Sequence, residues 1–261
     1  MADPVGLVGI GLMGTALAQR LVGTGFAIVG FDPDSARRNE LERLGGTPAA
    51  SVPDIARRCR QVLIAVMTMD QEVTRDLIGA ATSVALCTST GEPDRIAALA
   101  ERAAAQGLAF LDTPVSGTSG QVLAGDGYGL IAGDPAAAKA ADSILSAIYP
   151  RRRFVGPAGA ATKTKLAINH ILGLNRVALA EGLVFAERLG LDLADFLDAA
   201  RRSAAYSQIM DVKGDKMIAR DFTAVGKVSQ HLSNSHACSH PGERLSKIPL
   251  GGGDDLRQVT I

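Results

Sequence analysis

Cysteine is scarce, and its placement excludes more than its number. Cys59, Cys87 and Cys238 lie far apart and form no CxxC pair, which argues against a disulfide framework or a zinc ribbon and fits a reducing compartment. Net charge is absent too. Lys+Arg and Asp+Glu both number 27, so nothing advertises nucleic acid or an acidic membrane as partner. No basic segment follows Met1, and the first apolar run is broken by glycines. Neither a signal peptide nor a membrane span is expected, and a cytoplasmic location follows. What is present is a 47% hydrophobic chain of 261 residues, enough for a domain of about 150 residues and a smaller one. A small molecule is the expected partner.

Val5 to Ile10 reads as a strand that ends in a tight turn, and Thr15–Val22 reads as the helix after it. Ala27–Asp32, Val62–Met67, Ser83–Thr88, Leu108–Asp112 and Tyr128–Ala132 read as further strands, each followed by a helical or polar stretch. Apolar strands alternating with helices predict an α/β fold, a Rossmann-type doubly wound parallel sheet over residues 1–157. From Ala158 to about Leu189 only helical periodicity remains, with shorter helices predicted over Leu193–Arg202 and Ser207–Ile218. An all-helical domain is therefore expected over residues 158–231, followed by an irregular, poorly ordered tail over 232–261.

Three segments carry chemistry. Gly9-Ile10-Gly11-Leu12-Met13-Gly14 has the spacing of a dinucleotide turn and lies between strand and helix, as that turn requires. Asp32 closes the next strand 18 residues after Gly14, where a carboxylate bonds the ribose hydroxyls of NAD. Asp32 is alternatively the cap of the helix that follows, and Arg37-Arg38 stand where a 2′-phosphate would lie. NAD is preferred, with NADP second. The second segment, Phe110-Leu-Asp-Thr-Pro-Val-Ser116-Gly117-Thr118-Ser119-Gly120, is either a seat for a carboxylate or a plain Ser/Gly turn. In the third, Lys165 and Asn169 are four residues apart and share one helix face. A lysine facing a cleft can lose its proton by desolvation and act as acid or base, although a solvated helix lysine reads the same way.

Together the turn, Ser89-Thr90-x-x-Pro93, the Asp112–Gly117 segment and Gly156-x-x-Gly159 followed by Lys165-x-x-x-Asn169 resemble the β-hydroxyacid dehydrogenase family. The resemblance covers about 230 of the 261 residues, in order. It implies Lys165 as catalytic acid/base with Asn169 beside it. It also implies Ser116, Gly117 and Thr118 as the substrate carboxylate site, and Thr90, Val66 and Met67 as neighbours of the cofactor. The implied reaction is hydride transfer between nicotinamide and a 3-hydroxyacid or its carbonyl form. Relatives usually carry a second glycine where this chain has Thr118, so the resemblance names no substrate.

The pattern breaks after Leu232, where Ser233-Asn-Ser-His236 replaces the continuation and the lysine expected near the cofactor is missing. A truncated or altered C-terminus would weaken the homo-oligomer that the resemblance implies. Two other functions stay open: an NAD(P)-binding protein with little or no turnover, and an imine or carbonyl reductase of the same fold, against which Lys165 argues. His231, His236, Cys238 and His240 read as incidental tail composition, and no metal is expected.

Overall fold

The structure, a computed structural model, describes residues 3–66, 71–78 and 80–221. The tail expected to be irregular, and its His/Cys cluster, lie outside the described residues. These residues fall into two compact units divided after Lys165.

In the first unit the chain runs β1 (Val5–Val8), α1 (Leu12–Gly23), β2 (Ile28–Phe31), α2 (Ser35–Arg43), β3 (Thr47–Pro48) and α3 (Val52–Arg58). It continues with β4 (Gln61–Ile64), α4 (Gln71–Leu77), β5 (Val84–Cys87), α5 (Pro93–Ala104), β6 (Ala109–Asp112) and β7 (Val115–Ser116). Then come α6 (Ser119–Leu123), β8 (Tyr128–Ala132), α7 (Pro135–Ala140), α8 (Asp142–Ile148) and β9 (Arg151–Gly156). The strand order is β3-β2-β1-β4-β5-β6-β8-β7, with β9 also paired to β8. β1, β2, β4, β5 and β6 pair in parallel, as the apolar runs predict, and β3 joins β2 in the same sense. Winding reverses between β1 and β4, which creates the switch point where open α/β sheets bind ligands.

The sheet departs from a purely parallel one where β8 pairs antiparallel with β6 and β7. β3, β7 and β9 have no counterpart in the sequence reading, for a physical reason in each case. The first two are two residues long, and β9 opens with Arg151-Arg152-Arg153, polar side chains at home on a strand paired on one side only. The sheet separates two apolar clusters. Leu7, Leu17, Leu21, Leu63, Leu86 and Ile144 lie in one; Ile55, Val62, Ile64, Leu77, Ile96 and Phe110 lie in the other. Strands buried on both faces carry continuous apolar runs for this reason.

α9 (Ala160–Arg188) opens in the first unit and runs on through the second, which also holds α10 (Leu193–Arg201) and α11 (Gln208–Ile218). Gly190, at φ +74°, takes the left-handed conformation that ends α9. Leu179 and Leu183 pack with Leu197, Ile209 and Met210 to form this unit's core. No described helix is long and apolar enough to cross a membrane.

Candidate functional site

Parallel strands deliver their C-terminal ends to one edge of the sheet, and the predicted residues of the first unit gather there. β1 leads into the glycine turn, β2 into Asp32, β4 into Val66, β5 into Thr90 and β6 through Asp112 towards Ser116. Two of the turn's glycines leave no room for a side chain. A Cβ on Gly9, at φ +91°, would stand 2.5 Å from the Ala65 carbonyl oxygen, and one on Gly14 would overlap the carbonyl oxygen of Gly9. Gly11 is roomier, its nearest neighbour being Arg37 Nη1 at 3.4 Å from such a Cβ. Ile10 is buried, whereas Leu12 at the helix start is 67% exposed and Met13 is half-buried. An open groove of about 670 Å³ follows the turn and is lined by Gly11, Leu12, Thr15, Arg37, Ser119 and Gly120.

Asp32 is 9% exposed, and its carboxylate ties the turn to β2. Oδ2 accepts from the Ile10 N–H at 2.8 Å and Oδ1 from the Asp34 N–H at 3.0 Å. The cap of α2 is Asp34, which accepts from Ala36, so the alternative reading of Asp32 as that cap is corrected. Arg38 donates to the carbonyls of Asp32 and Pro33 and lies 5.8 Å from the Phe31 ring centroid. Arg37 donates to the Ile10 carbonyl at 3.0 Å and pairs with Asp34 at 3.6 Å.

At the next two strand ends, Thr88 donates to the Ile64 carbonyl and Ser89 to that of Val66, at 2.6 Å, fastening the Thr90 segment to the β4 loop. Val66 and Thr90 are both half-buried. Met67 lies outside the described residues. Beyond β6, Gly117 has φ +150°, and a Cβ there would stand 3.2 Å from Gln121 Oε1. Thr118 caps α6 in a reciprocal box: its N–H donates to Gln121 Oε1 at 2.8 Å, while its hydroxyl accepts from the Gln121 N–H at 3.2 Å. In this arrangement the Thr118 N–H is engaged by Gln121, three residues on, while Ser116 and Gly117 stand beside it in the segment expected to seat a carboxylate.

Lys165 and Asn169 stand one turn apart on α9, both half-buried. Burial pushes the Lys165 ammonium down from its ordinary 10.5 to about 8. This has a cost. The unfolded chain binds the proton more tightly over the window from about 8 to 10.5, so the penalty is fully present below it and gone above it. Lys165→Met is therefore expected to raise the thermal midpoint at pH 7 and to leave it unchanged near pH 11. Melting curves at the two pH values check this, and equal shifts at both would contradict it.

One residue at this edge escaped prediction. Asp112 is 0% exposed, and its carboxylate accepts from the Gly159 N–H, the Thr162 N–H and the Thr162 hydroxyl. Burial raises its pKa while those donors lower it. Cys87, on neighbouring β5, is pushed up to about 12 by burial and by the Asp112 charge, so it stays a thiol. A carboxylate closing an otherwise apolar strand was the available signal.

A doubly wound sheet with a glycine turn at its switch point defines the class: a dinucleotide-binding α/β oxidoreductase domain. Residues 4–156 match the family described as the NAD-binding domain of 6-phosphogluconate dehydrogenase. Residues 159–237 match the one described as the NAD-binding region of NADP-dependent 3-hydroxyisobutyrate dehydrogenase. The chain belongs to the β-hydroxyacid dehydrogenase family. It is 29% identical to the L-threonate dehydrogenase of Cupriavidus necator, over 96% of this chain and 86% of the relative. It is also similar to the solved 3-hydroxyisobutyrate dehydrogenase of Mycobacterium tuberculosis with L-serine. There the TM-score is 0.72 at 26% identity, over 80% of this chain and 73% of that one. An imine reductase from Myxococcus stipitatus, solved with NAD+, shares the fold at 20% identity and a TM-score of 0.69, over 91% of this chain and 86% of that one.

Proposed function

We propose that the chain is an NAD-preferring dehydrogenase of small 3-hydroxyacids, with Lys165 as general acid/base. The carrying observation is a lysine whose proton affinity burial lowers to about 8, on a helix whose first turn is fastened to the ligand-binding edge of a dinucleotide sheet. At that value both protonation states are populated near neutrality, which is what acid/base work requires.

The residues present fit the cofactor. Gly9 and Gly14 leave no room for a side chain, and Gly11 between them keeps the backbone open at the start of α1, where helix N–H groups favour phosphate. Nicotinamide, when bound, supplies or accepts the hydride. In oxidation the Lys165 amine takes the hydroxyl proton of the substrate, and in reduction its ammonium returns one to the carbonyl oxygen. Asn169, one turn on, orients the hydroxyl or Lys165 itself. Ser116 and Gly117 hold the carboxylate, with Thr118 keeping the turn in shape through its box with Gln121. The relatives' names supply the substrate class: L-threonate and 3-hydroxyisobutyrate are both small hydroxyacids.

Preference for NAD rests on the end of β2. Both Asp32 oxygens are fixed by backbone donors and keep lone pairs for ribose hydroxyls, while a 2′-phosphate would meet that carboxylate as a like charge. The guanidiniums of Arg37 and Arg38 are turned to backbone carbonyls and to Asp34. NAD+ is expected to bind at least about tenfold more tightly than NADP+, a difference of about 1.4 kcal/mol. Titration of the full chain with each cofactor checks this, and equal affinities would end the preference. The test of the reaction is a panel of 3-hydroxyacids, 3-hydroxyisobutyrate and L-threonate included, assayed for reduced nicotinamide. Turnover on a hydroxyacid supports the reading. Turnover confined to imines, or binding without turnover, would replace it.

A further inference from the structure

We infer that Asp112 is a positioning residue for Lys165: it caps α9 from a distance and so fixes where the lysine stands. This rests on the reading of Lys165 as the acid/base. A helix leaves its first N–H groups unpaired, and a Ser, Thr, Asp or Asn immediately before it usually accepts from one of them. Before α9 the chain reads Pro157-Ala158-Gly159, which offers no side chain able to do so. The cap comes instead from the end of β6. Asp112 Oδ2 accepts from the Gly159 N–H at 3.1 Å and from the Thr162 N–H at 2.9 Å. Oδ1 accepts from the Thr162 hydroxyl at 2.7 Å.

Burying a carboxylate is costly unless donors and a favourable dipole replace its water; here three donors at the helix start offset part of that cost, and burial still holds the Asp112 pKa above its ordinary value. The consequence is geometric. Thr162 and Lys165 are three residues apart, so they are neighbours on one face of α9. Holding Thr162 to β6 sets the rotation and height of the helix at the turn that bears Lys165. The backbone also passes close to α5 at this point, since a Cβ on Gly159, at φ +89°, would come 2.8 Å from the Pro93 carbonyl oxygen. Lys163 pairs with Asp94 beside it at 3.5 Å. The start of α9 is thus located against two strand-end connections, the one with Thr90 and the one that leads from Asp112 to Ser116. Those are the places proposed for nicotinamide and for the substrate carboxylate, so Asp112 registers the lysine against both.

The test is made on the full chain with Thr162→Val, which removes the hydroxyl and keeps the shape, with Thr162→Ser, which keeps the hydroxyl, and with Asp112→Asn. Two readouts are taken. One is the pH dependence of Lys165 acetylation by acetic anhydride, followed by peptide mass spectrometry without cofactor or substrate. The other is turnover with NAD+ and the 3-hydroxyacid panel. The wild-type acetylation midpoint is expected near 8. Thr162→Val should move it up towards 10.5, and should lower kcat about 10- to 100-fold with KM little changed, the signature of misplacement. Thr162→Ser should restore both, and Asp112→Asn should exceed Thr162→Val. A Thr162→Val chain with an unmoved midpoint overturns the inference, whatever happens to its melting temperature. Acetylation needs no substrate, so the inference stays testable in a chain without turnover on the panel. Full turnover by Lys165→Ala would instead end the acid/base reading on which the inference rests.

Discussion

Replacing Lys165 by alanine is expected to lower turnover about 10²- to 10⁴-fold, the range that a positioned acid or base supplies, while NAD+ binding is preserved. The size of the effect follows from what is lost. Without the amine, the hydroxyl proton must leave to water as hydride departs. The pH dependence gives the sign. Oxidation needs the neutral amine, so its kcat/KM should rise with pH and level off above about 8. Reduction needs the ammonium, so it should fall through the same region. Both limbs should vanish in Lys165→Ala. Lys165→Arg should fare no better, because a guanidinium keeps its proton at any working pH. Rate profiles in both directions check this. An alanine variant that keeps the wild-type profile would place the titrating group elsewhere.

Gly14→Ala should be nearly as damaging, by an unrelated route. Its Cβ would overlap the Gly9 carbonyl oxygen, which belongs to backbone and has little room to give. Gly9 is itself blocked by the carbonyl of Ala65, so the strain passes into the end of β4. Overpacking of this kind costs about 1–3 kcal/mol. Converted at 1.4 kcal/mol per decade, a similar loss in cofactor affinity raises the NAD+ Kd about 5- to 100-fold. Gly23→Ala is the control: it lies in the same helix with nothing within 4 Å of its Cβ. That variant should bind NAD+ normally and melt no lower, since alanine suits a helix better than glycine. Calorimetric titration of the pair checks the contrast. Wild-type affinity in Gly14→Ala would remove the turn from the cofactor site.

How much of this was legible beforehand depends on whether a feature is local in sequence. The glycine turn was readable because strand, turn and helix are consecutive, with Gly14 answering to Gly9 inside that stretch and Gly9 to Ala65 at the adjoining strand end. α9 was readable within two residues at its start because its periodicity is long. β9 was hidden because three arginines open it, and only pairing with β8 makes it a strand. The Thr118 box is within reach of the sequence, since Gln121 stands at the capping-box spacing, although the resemblance draws attention to the threonine as part of the carboxylate site and as a departure from relatives. Asp112 offered only a carboxylate at the end of an apolar strand, with nothing to show what it holds. Its partners lie 47 and 50 residues away, and no local pattern shows that a helix without its own cap has borrowed one.

The central claim is that this edge of the sheet performs hydride transfer on a small hydroxyacid with Lys165 as the proton carrier. The most direct measurement is the rate of NADH formation by the full chain and by Lys165→Ala, over the 3-hydroxyacid panel at pH 8 to 9. Turnover of at least one hydroxyacid is expected from the parent chain, with a loss of about 10²-fold or more in the variant. No turnover on any hydroxyacid, or equal rates from the two chains, would contradict it.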